Sequence, residues 1–187
     1  MNELKNWDNK TWLSSSAYIN SFNTFLLKKK KLNKNSQILD IGCGRGKIFG
    51  SLSRKLKLTN KPIGIDPVIH NDVDKSIDFM NEDVFEFFKD NQNKFDLIMI
   101  KQTLHFFNKE KRLKLIKACK NNLKKNGTLL IFSLNTLNNE IPCFKLMKQK
   151  LNRGLKKDSR MLKTACEILK NSEIDKFKFK VLITKNK

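Results

Sequence analysis

Glycine, proline and arginine are scarce in this chain of 187 residues, which has seven Gly, three Pro and only five Arg among its 39 basic residues. With so few turn and linker residues, nothing divides the sequence, and its length fits the ~100–200 residues usual for one domain. The longest apolar runs, residues 97–100 and 129–132, fall far short of the ~20 residues that a membrane-spanning helix needs. No charged-then-apolar leader opens the sequence, so a soluble, cytoplasmic protein is expected. The four cysteines, Cys43, Cys119, Cys143 and Cys166, are widely separated, and neither His70 nor His105 stands near one at ligand spacing. Reduced, mostly buried thiols and no metal site are therefore expected. What the chain does have is apolar surface: 39% hydrophobic residues and 14 Phe exclude wholesale disorder.

Positive charge is the other abundance, with a formal net charge of +21. Nearly all of it is Lys, a hydrated point charge, whereas reading guanine or clamping phosphate favours the planar fork of Arg. AT-rich coding alone raises Lys and Asn and lowers Gly, so the charge is a weak sign of nucleic-acid binding. It is also uneven. Between Asp66 and Asp96 nine acids face three Lys, a local balance of −6, which leaves +27 on the rest. Within that acidic stretch Asp72, Asp74, Asp78, Glu86 and Asp90 read as ordinary solvated residues.

Apolar periodicity sets out the organisation. Residues 37–41 form a short apolar run ending in a glycine cluster, and Ile48, Leu52 and Leu56 then recur at helical spacing over residues 47–58. Residues 62–65 and 76–80 read as strands, 84–89 as a short helix, and 95–100 as a strand covered on both faces. Asn108 suits the cap of a helix whose stripe is Leu113, Ile116, Cys119 and Leu123. Asn126-Gly127 is a stop-and-turn signal before a strand over residues 128–133. Further helices are expected at 142–151 and 159–169, a last strand at 176–184, and one or two amphipathic helices within residues 7–27. Strands alternating with helices imply a mostly parallel sheet wrapped by helices, a doubly wound α/β fold.

The chemistry concentrates in Asp40-Ile41-Gly42-Cys43-Gly44-Arg45-Gly46-Lys47. Glycines at a strand end let the backbone turn sharply and approach a ligand at the carboxyl edge of the sheet. A dinucleotide fingerprint needs its third Gly where Lys47 stands, and a triphosphate loop needs Ser or Thr where Ile48 stands; both are disfavoured.

Asp40-Ile41-Gly42-Cys43-Gly44-Arg45-Gly46 resembles the first motif of the class I S-adenosylmethionine-dependent methyltransferases, acid-x-Gly-x-Gly-x-Gly. Ile63-Gly64-Ile65-Asp66, Asn81-Glu82-Asp83-Val84, residues 95–101 and residues 123–130 resemble the family's following motifs in order, so the likeness covers about residues 36–133. In the last of these Lys125 and Asn126 replace the usual Pro and first Gly. The resemblance implies a single domain, with a helical cap over residues 1–35, a cofactor-binding core over 36–133, and a substrate-side insertion, last helix and strand over 134–187. It implies S-adenosylmethionine as cofactor and S-adenosylhomocysteine as product, bound by Asp40, Gly42, Cys43, Gly44, Gly46, Asp66, Pro67, Asp83, Val84, Lys101 and Gln102. Asp66 would accept from the ribose hydroxyls, Asp83 from the adenine amino group, and the Val84 backbone would meet the ring edge.

For the acceptor, Lys101-Gln102-Thr103-Leu104-His105-Phe106-Phe107 is similar to small-molecule methyltransferases and lacks the Pro-Pro-aromatic grip of amino-methylating nucleic-acid enzymes. A small metabolite is the expected acceptor, anionic if the basic stretch 145–163 faces it. His105 is the candidate general base, with helix-start packing as its alternative, and Trp12 and Tyr18 are candidate substrate-side residues. An RNA methyltransferase using the Lys-rich surface and a degenerate cofactor-binding module are the other readings. The family's sheet has seven strands, whereas this chain has residues for one strand after its last helix; a sheet lacking the seventh is expected, with an edge open to pairing.

Overall fold

The computed structural model of the chain describes residues 16–101, 103–132 and 182–185. Its centre is β1 (Ile38–Ile41), four residues buried on both faces, hydrogen-bonded to β2 (Ile63–Ile65) on one side and β4 (Phe95–Lys101) on the other. β3 (Asp78–Met80) extends the sheet beyond β2, and β5 (Leu123–Phe132) beyond β4, all five strands being parallel. β6 (Leu182–Lys185) then pairs antiparallel with β5, giving the order β3-β2-β1-β4-β5-β6 among the described residues. The last strand was expected over 176–184; the rest of that span, and the helices expected at 142–151 and 159–169, lie outside the described residues.

Strand alternation sorts the core into two layers. On one face Ile38, Leu97, Met99 and Leu130 meet Phe22 and Leu26 of α1 (Ser16–Lys29) and Ile48, Phe49 and Leu52 of α2 (Lys47–Leu56). On the other, Leu39, Ile41, Ile98, Ile100 and Leu129 meet Val84 and Phe87 of α3 (Val84–Asp90) and Leu115 and Cys119 of α4 (Lys109–Asn121). The result is the doubly wound arrangement, with a sheet sandwiched between helices. Among the described residues no helix is long and apolar enough to cross a membrane.

Two local expectations need correction. The stripe of α4 is not Leu113, Ile116, Cys119 and Leu123: Leu115 and Cys119 are fully buried, Ile116 is half-buried, Leu113 is 62% exposed, and Leu123 already belongs to β5. Asn108 does cap the helix, its Oδ1 accepting from Lys111 N, but at the far end Asn122 closes it, Nδ2 donating to the Ala118 carbonyl, one residue before Leu123. Asn126-Gly127 also turns the chain inside β5 rather than ahead of it. The ladder pairs Phe95 with Leu123 and then jumps to Leu97 with Thr128, and Asn126 takes φ 69° in the bulge.

The two phases of α4 separate by mutation. Leu115→Ala should destabilise the fold by about 3 kcal/mol, and Leu113→Ala should stay within about 0.5 kcal/mol of wild type in urea unfolding. Equal losses would contradict the observed face.

Candidate functional site

Five residues link β1 to α2, and three of them are left-handed: Gly42, Gly44 and Gly46 at φ 71°, 55° and 64°. Residues with a Cβ rarely adopt such angles, and at two of these positions there is no room for one. The Thr103 side chain lies where a Cβ of Gly42 would be, and Ile77 where one of Gly46 would be. The turn is also tied to the neighbouring strand end. Gly42 N and Cys43 N both donate to the Ile65 carbonyl, at 2.8 and 3.1 Å. Gly44 N donates to Asp66 Oδ2 at 2.8 Å, and Val68 N to Asp66 Oδ1 at 2.9 Å. Gly46 caps α2 without a side-chain acceptor, so the helix opens with bare amides toward the carboxyl edge of the sheet.

Asp40 stands one residue before this edge, on the same sheet face as Ile38, and is 3% exposed with no hydrogen-bond partner on Oδ1. Burial pushes its carboxyl up to about 7; the positive charge of Lys101 at the end of β4 pulls the other way, and the negative charge of Asp66 adds to the rise. Burial likewise raises the Cys43 thiol far above its ordinary range, and with a backbone carbonyl 3.5 Å from its sulfur it is a packing group, seated against Gly64 where β2 has no side chain.

Asp83 has a structural duty, since its Oδ1 accepts from Phe85 N at 2.7 Å as the cap of α3. That leaves Oδ2 for another donor, and the N–H of Val84, first in the helix, has no intrahelical acceptor. Asn81 draws this corner toward the site by donating to the Asp66 carbonyl at 3.0 Å. Asp40, Gly42, Cys43, Gly44, Gly46 and Asp66 therefore gather at the ends of β1 and β2. Exposed Pro67 follows Asp66, the Asp83–Val84 corner adjoins them, and Lys101 faces them from β4. Gln102 and Trp12 lie outside the described residues, as do the side chains of Tyr18 on α1 and of His105 in the single helical turn Leu104–Phe106. Among the described residues no cluster suits a metal ion.

The acidic stretch behaves differently from its sequence reading. Asp74 is buried rather than solvated, receiving Arg54 Nη1 at 2.6 Å and Nη2 at 3.1 Å, and its carboxylate occupies the space a side chain at Gly50 would need. Burial alone would raise its pKa, but the Arg54 and Ser76 hydrogen bonds outweigh that and hold it below the usual range. Asp72 pairs with buried Arg45, and its carbonyl accepts from Lys47 Nζ at 2.7 Å. With Asp74 N donating to the Arg45 carbonyl at 2.9 Å, the 67–77 segment is fastened along the glycine turn and the start of α2. A glycine inside α2, where it costs about 1 kcal/mol relative to Ala, was the one sequence sign of this close neighbour.

Because Asp40 holds its proton more tightly folded than unfolded, its contribution to stability is full below pH ~4 and is lost as the pH rises to about 7. Asp40→Asn, a mimic of the neutral acid, should therefore raise the melting temperature by about 5 °C more at pH 8 than at pH 5. An offset that does not change with pH would contradict a buried, ionising Asp40.

Residues 38–127 match the family described as methyltransferase domain, a span that opens on the first residue of β1 and closes at the bulge of β5. No curated protein sequence matches the chain. Among solved structures it resembles the plantazolicin methyltransferase BpumL in complex with a pentazolic desmethylPZN analog and SAH, at 22% identity and a TM-score of 0.57, over 89% of this chain and 61% of that one. BpumL in complex with SAH gives 22% identity and a TM-score of 0.54, over 83% and 55%. These identities speak for the fold, and this chain spans little more than half the length of those proteins. The strand order and the glycine turn give this chain the Rossmann-like fold of the class I methyltransferases, and residues 38–127 are similar to the methyltransferase-domain family.

Proposed function

We propose that this chain binds S-adenosylmethionine at the carboxyl edge of β1 and β2 and transfers its methyl group to a small-molecule acceptor. The observation that carries the reading is the pairing of a three-glycine left-handed turn with Asp66 and with an unpartnered buried oxygen on Asp40. The glycines bring bare backbone round the strand end where a ligand can approach it, and the Asp40 oxygen lacks the donor that a cationic ligand would bring. When bound, the cofactor supplies an electrophilic methyl on a sulfonium centre.

The chain's residues then hold and orient. Asp66 already accepts from two amides, yet each of its oxygens keeps a lone pair for a ribose hydroxyl. Asp83 Oδ2 accepts from the adenine amino group, and the Val84 N–H donates to the ring edge. Asp40, Asp66 and Asp83 together set a negative potential suited to a ligand bearing sulfonium and ammonium charges. Lys101 and Gln102 border the amino-acid end. Catalysis rests on holding donor and acceptor in line with water excluded, and the acceptor atom loses its proton to His105 where it needs a base. A small metabolite is favoured because the segment after β4 has no Pro-Pro-aromatic grip for a flipped base. An anionic acceptor would suit the basic stretch 145–163.

Calorimetry with S-adenosylmethionine and S-adenosylhomocysteine checks this directly. Wild type should bind both, and Gly44→Val and Asp66→Ala should each weaken binding by about tenfold or more. Binding of the ammonium needs Asp40 ionised against the pull of its surroundings, so affinity should fall by up to about tenfold per unit as the pH drops below 7. Absent wild-type binding, or unchanged affinity in both variants, would sink the reading.

A further inference from the structure

Lysine is shared unequally between the two edges of the sheet. Strands β1 to β5 are parallel, so the segments that lead into them start from one edge and the segments that leave them start from the other. The segments leaving β1 to β4 at the carboxyl edge, residues 42–46, 66–77, 81–83 and 103–108, hold five acids and a single Lys. At the amino edge residues 30–37, 57–62, 91–94 and 123–127 lead into or open β1, β2, β4 and β5, and they hold eight Lys and no acid. A coding bias toward Lys would raise both edges alike.

Hydrogen bonds join the amino-edge segments into one surface. Thr59 N donates to the Lys34 carbonyl at 2.7 Å, Asp96 N to the Gln37 carbonyl at 2.9 Å, and Lys94 Nζ to the Asn121 carbonyl at 2.7 Å. Two more Lys are spent on this scaffold, Lys30 at the Asn126 carbonyl and Lys124 at Asp96, both at 2.8 Å. The other five, Lys31, Lys34, Lys57, Lys61 and Lys125, are exposed, and their ammonium groups make no hydrogen bond or ion pair among the described residues. Helix dipoles account for a basic residue in a last turn, as Lys55 and Lys120 supply, and do not call for five more in the connecting segments. Four adjacent strands at ~4.8 Å spacing spread these charges over about 14 Å, where they repel one another unless a polyanion lies across them.

We infer that the amino edge binds the phosphate backbone of a nucleic-acid duplex without reading its sequence. The make-up of the surface selects this occupant. Reading base edges favours Arg, and Arg54 in the last turn of α2 is already paired with Asp74. Stacking on single-stranded bases and lying on a bilayer both call for exposed aromatic or apolar side chains. Among the described residues the large exposed ones are Ile69, Met80, Phe106 and Leu113, which stand in the carboxyl-edge segments, at the end of β3 and on α4. A duplex carries one negative charge per ~1.7 Å of its axis, so several phosphates fall within the span of the free Lys. The surface lies at the opposite edge of the sheet from the glycine turn. A duplex held there tethers the protein without occupying the proposed cofactor site, and its binding does not depend on the S-adenosylmethionine reading.

Fluorescence anisotropy of the full chain with labelled duplexes tests this. Wild type should bind duplexes of about 20 base pairs equally well in unrelated sequences, its log affinity falling against log salt with a slope of about −4 for about four or five phosphates contacted. Tighter binding of DNA or of RNA identifies the source of the phosphates and supports the inference in either case. Changing Lys34, Lys57, Lys61 and Lys125 together to Gln should lower affinity about 100-fold near ~100 mM salt and flatten the slope to about −1. The matched change of Lys145, Lys148, Lys150 and Lys156 to Gln should leave affinity within about threefold of wild type. Absent wild-type binding, an equal loss in both fourfold variants, a strong sequence preference, or tighter adsorption to phosphatidylserine vesicles than to either duplex overturns the inference. So does displacement of the duplex by saturating S-adenosylhomocysteine, which puts the nucleic acid at the carboxyl edge instead. Should the first fourfold variant melt well below wild type, Lys34→Gln with Lys61→Gln decides: about a tenfold loss is expected, and unchanged affinity overturns the inference.

Discussion

Three left-handed glycines in five residues are the constraint on which the rest of the site depends. They turn the chain off the central strand and into α2 within a distance that no residue with a Cβ could negotiate so cheaply. Their missing side chains are the space into which Thr103 and Ile77 settle. Thr103 follows β4 and Ile77 precedes β3, so the turn is packed against residues that flank two other strands. The Gly44 amide then fixes Asp66, and the Asp66 backbone fixes Asn81 beside the Asp83 corner. Each of these hydrogen bonds is worth only about 1–3 kcal/mol, but they share atoms, so the edge is positioned as a unit.

Charge divides along the same line. Two of the five arginines are consumed in holding the 67–77 segment to the glycine turn and α2: Arg45 with Asp72, and Arg54 with Asp74. Asp74 is buried while Arg54 is mostly exposed, which places the pair between a weak surface bridge and a costly buried one, at about 2 kcal/mol. Asp40, Asp66 and Asp83 remain at the sheet edge, and Asp40 alone is buried without a donor on one oxygen. The acidic stretch thus has two jobs, one fastening the scaffold and one setting a negative potential where a cation would sit. Among the described Lys, Lys47 donates to the Asp72 carbonyl, Lys124 pairs with Asp96 at 2.8 Å, Lys89 pairs with Glu86, and Lys101 lies near Asp40.

Much of this was legible in the sequence because single residues carry it. A run such as 95–101 is too apolar to be anything but a strand covered on both faces, and Gly at every second position after an acid has few uses. Legibility ended where the outcome depended on neighbours far along the chain. In α4 the apolar residues Leu113, Leu115 and Ile116 admit two phases, and only packing against Leu39 and Ile98 selects Leu115 with Cys119. Asp74 looked solvated because the Arg that buries it lies 20 residues earlier. Asn23 gave no signal of its burial, since an Asn amid helical residues reads as an exposed position until the sheet beneath it is seen. Asp83 was read only for a part in ligand binding and not as the cap of α3, although its place just before an apolar helical run carried that information.

The central claim is that the glycine turn, Asp40 and Asp66 form one ligand site at the carboxyl edge of β1 and β2. A crystal structure of the protein grown with S-adenosylhomocysteine tests it most directly. The account predicts density for the ribose within hydrogen-bond distance of the Asp66 carboxylate, with the amino-acid end of the ligand over Gly42 and Asp40. Ligand density elsewhere on the molecule, or an edge left empty at saturating ligand, would contradict it.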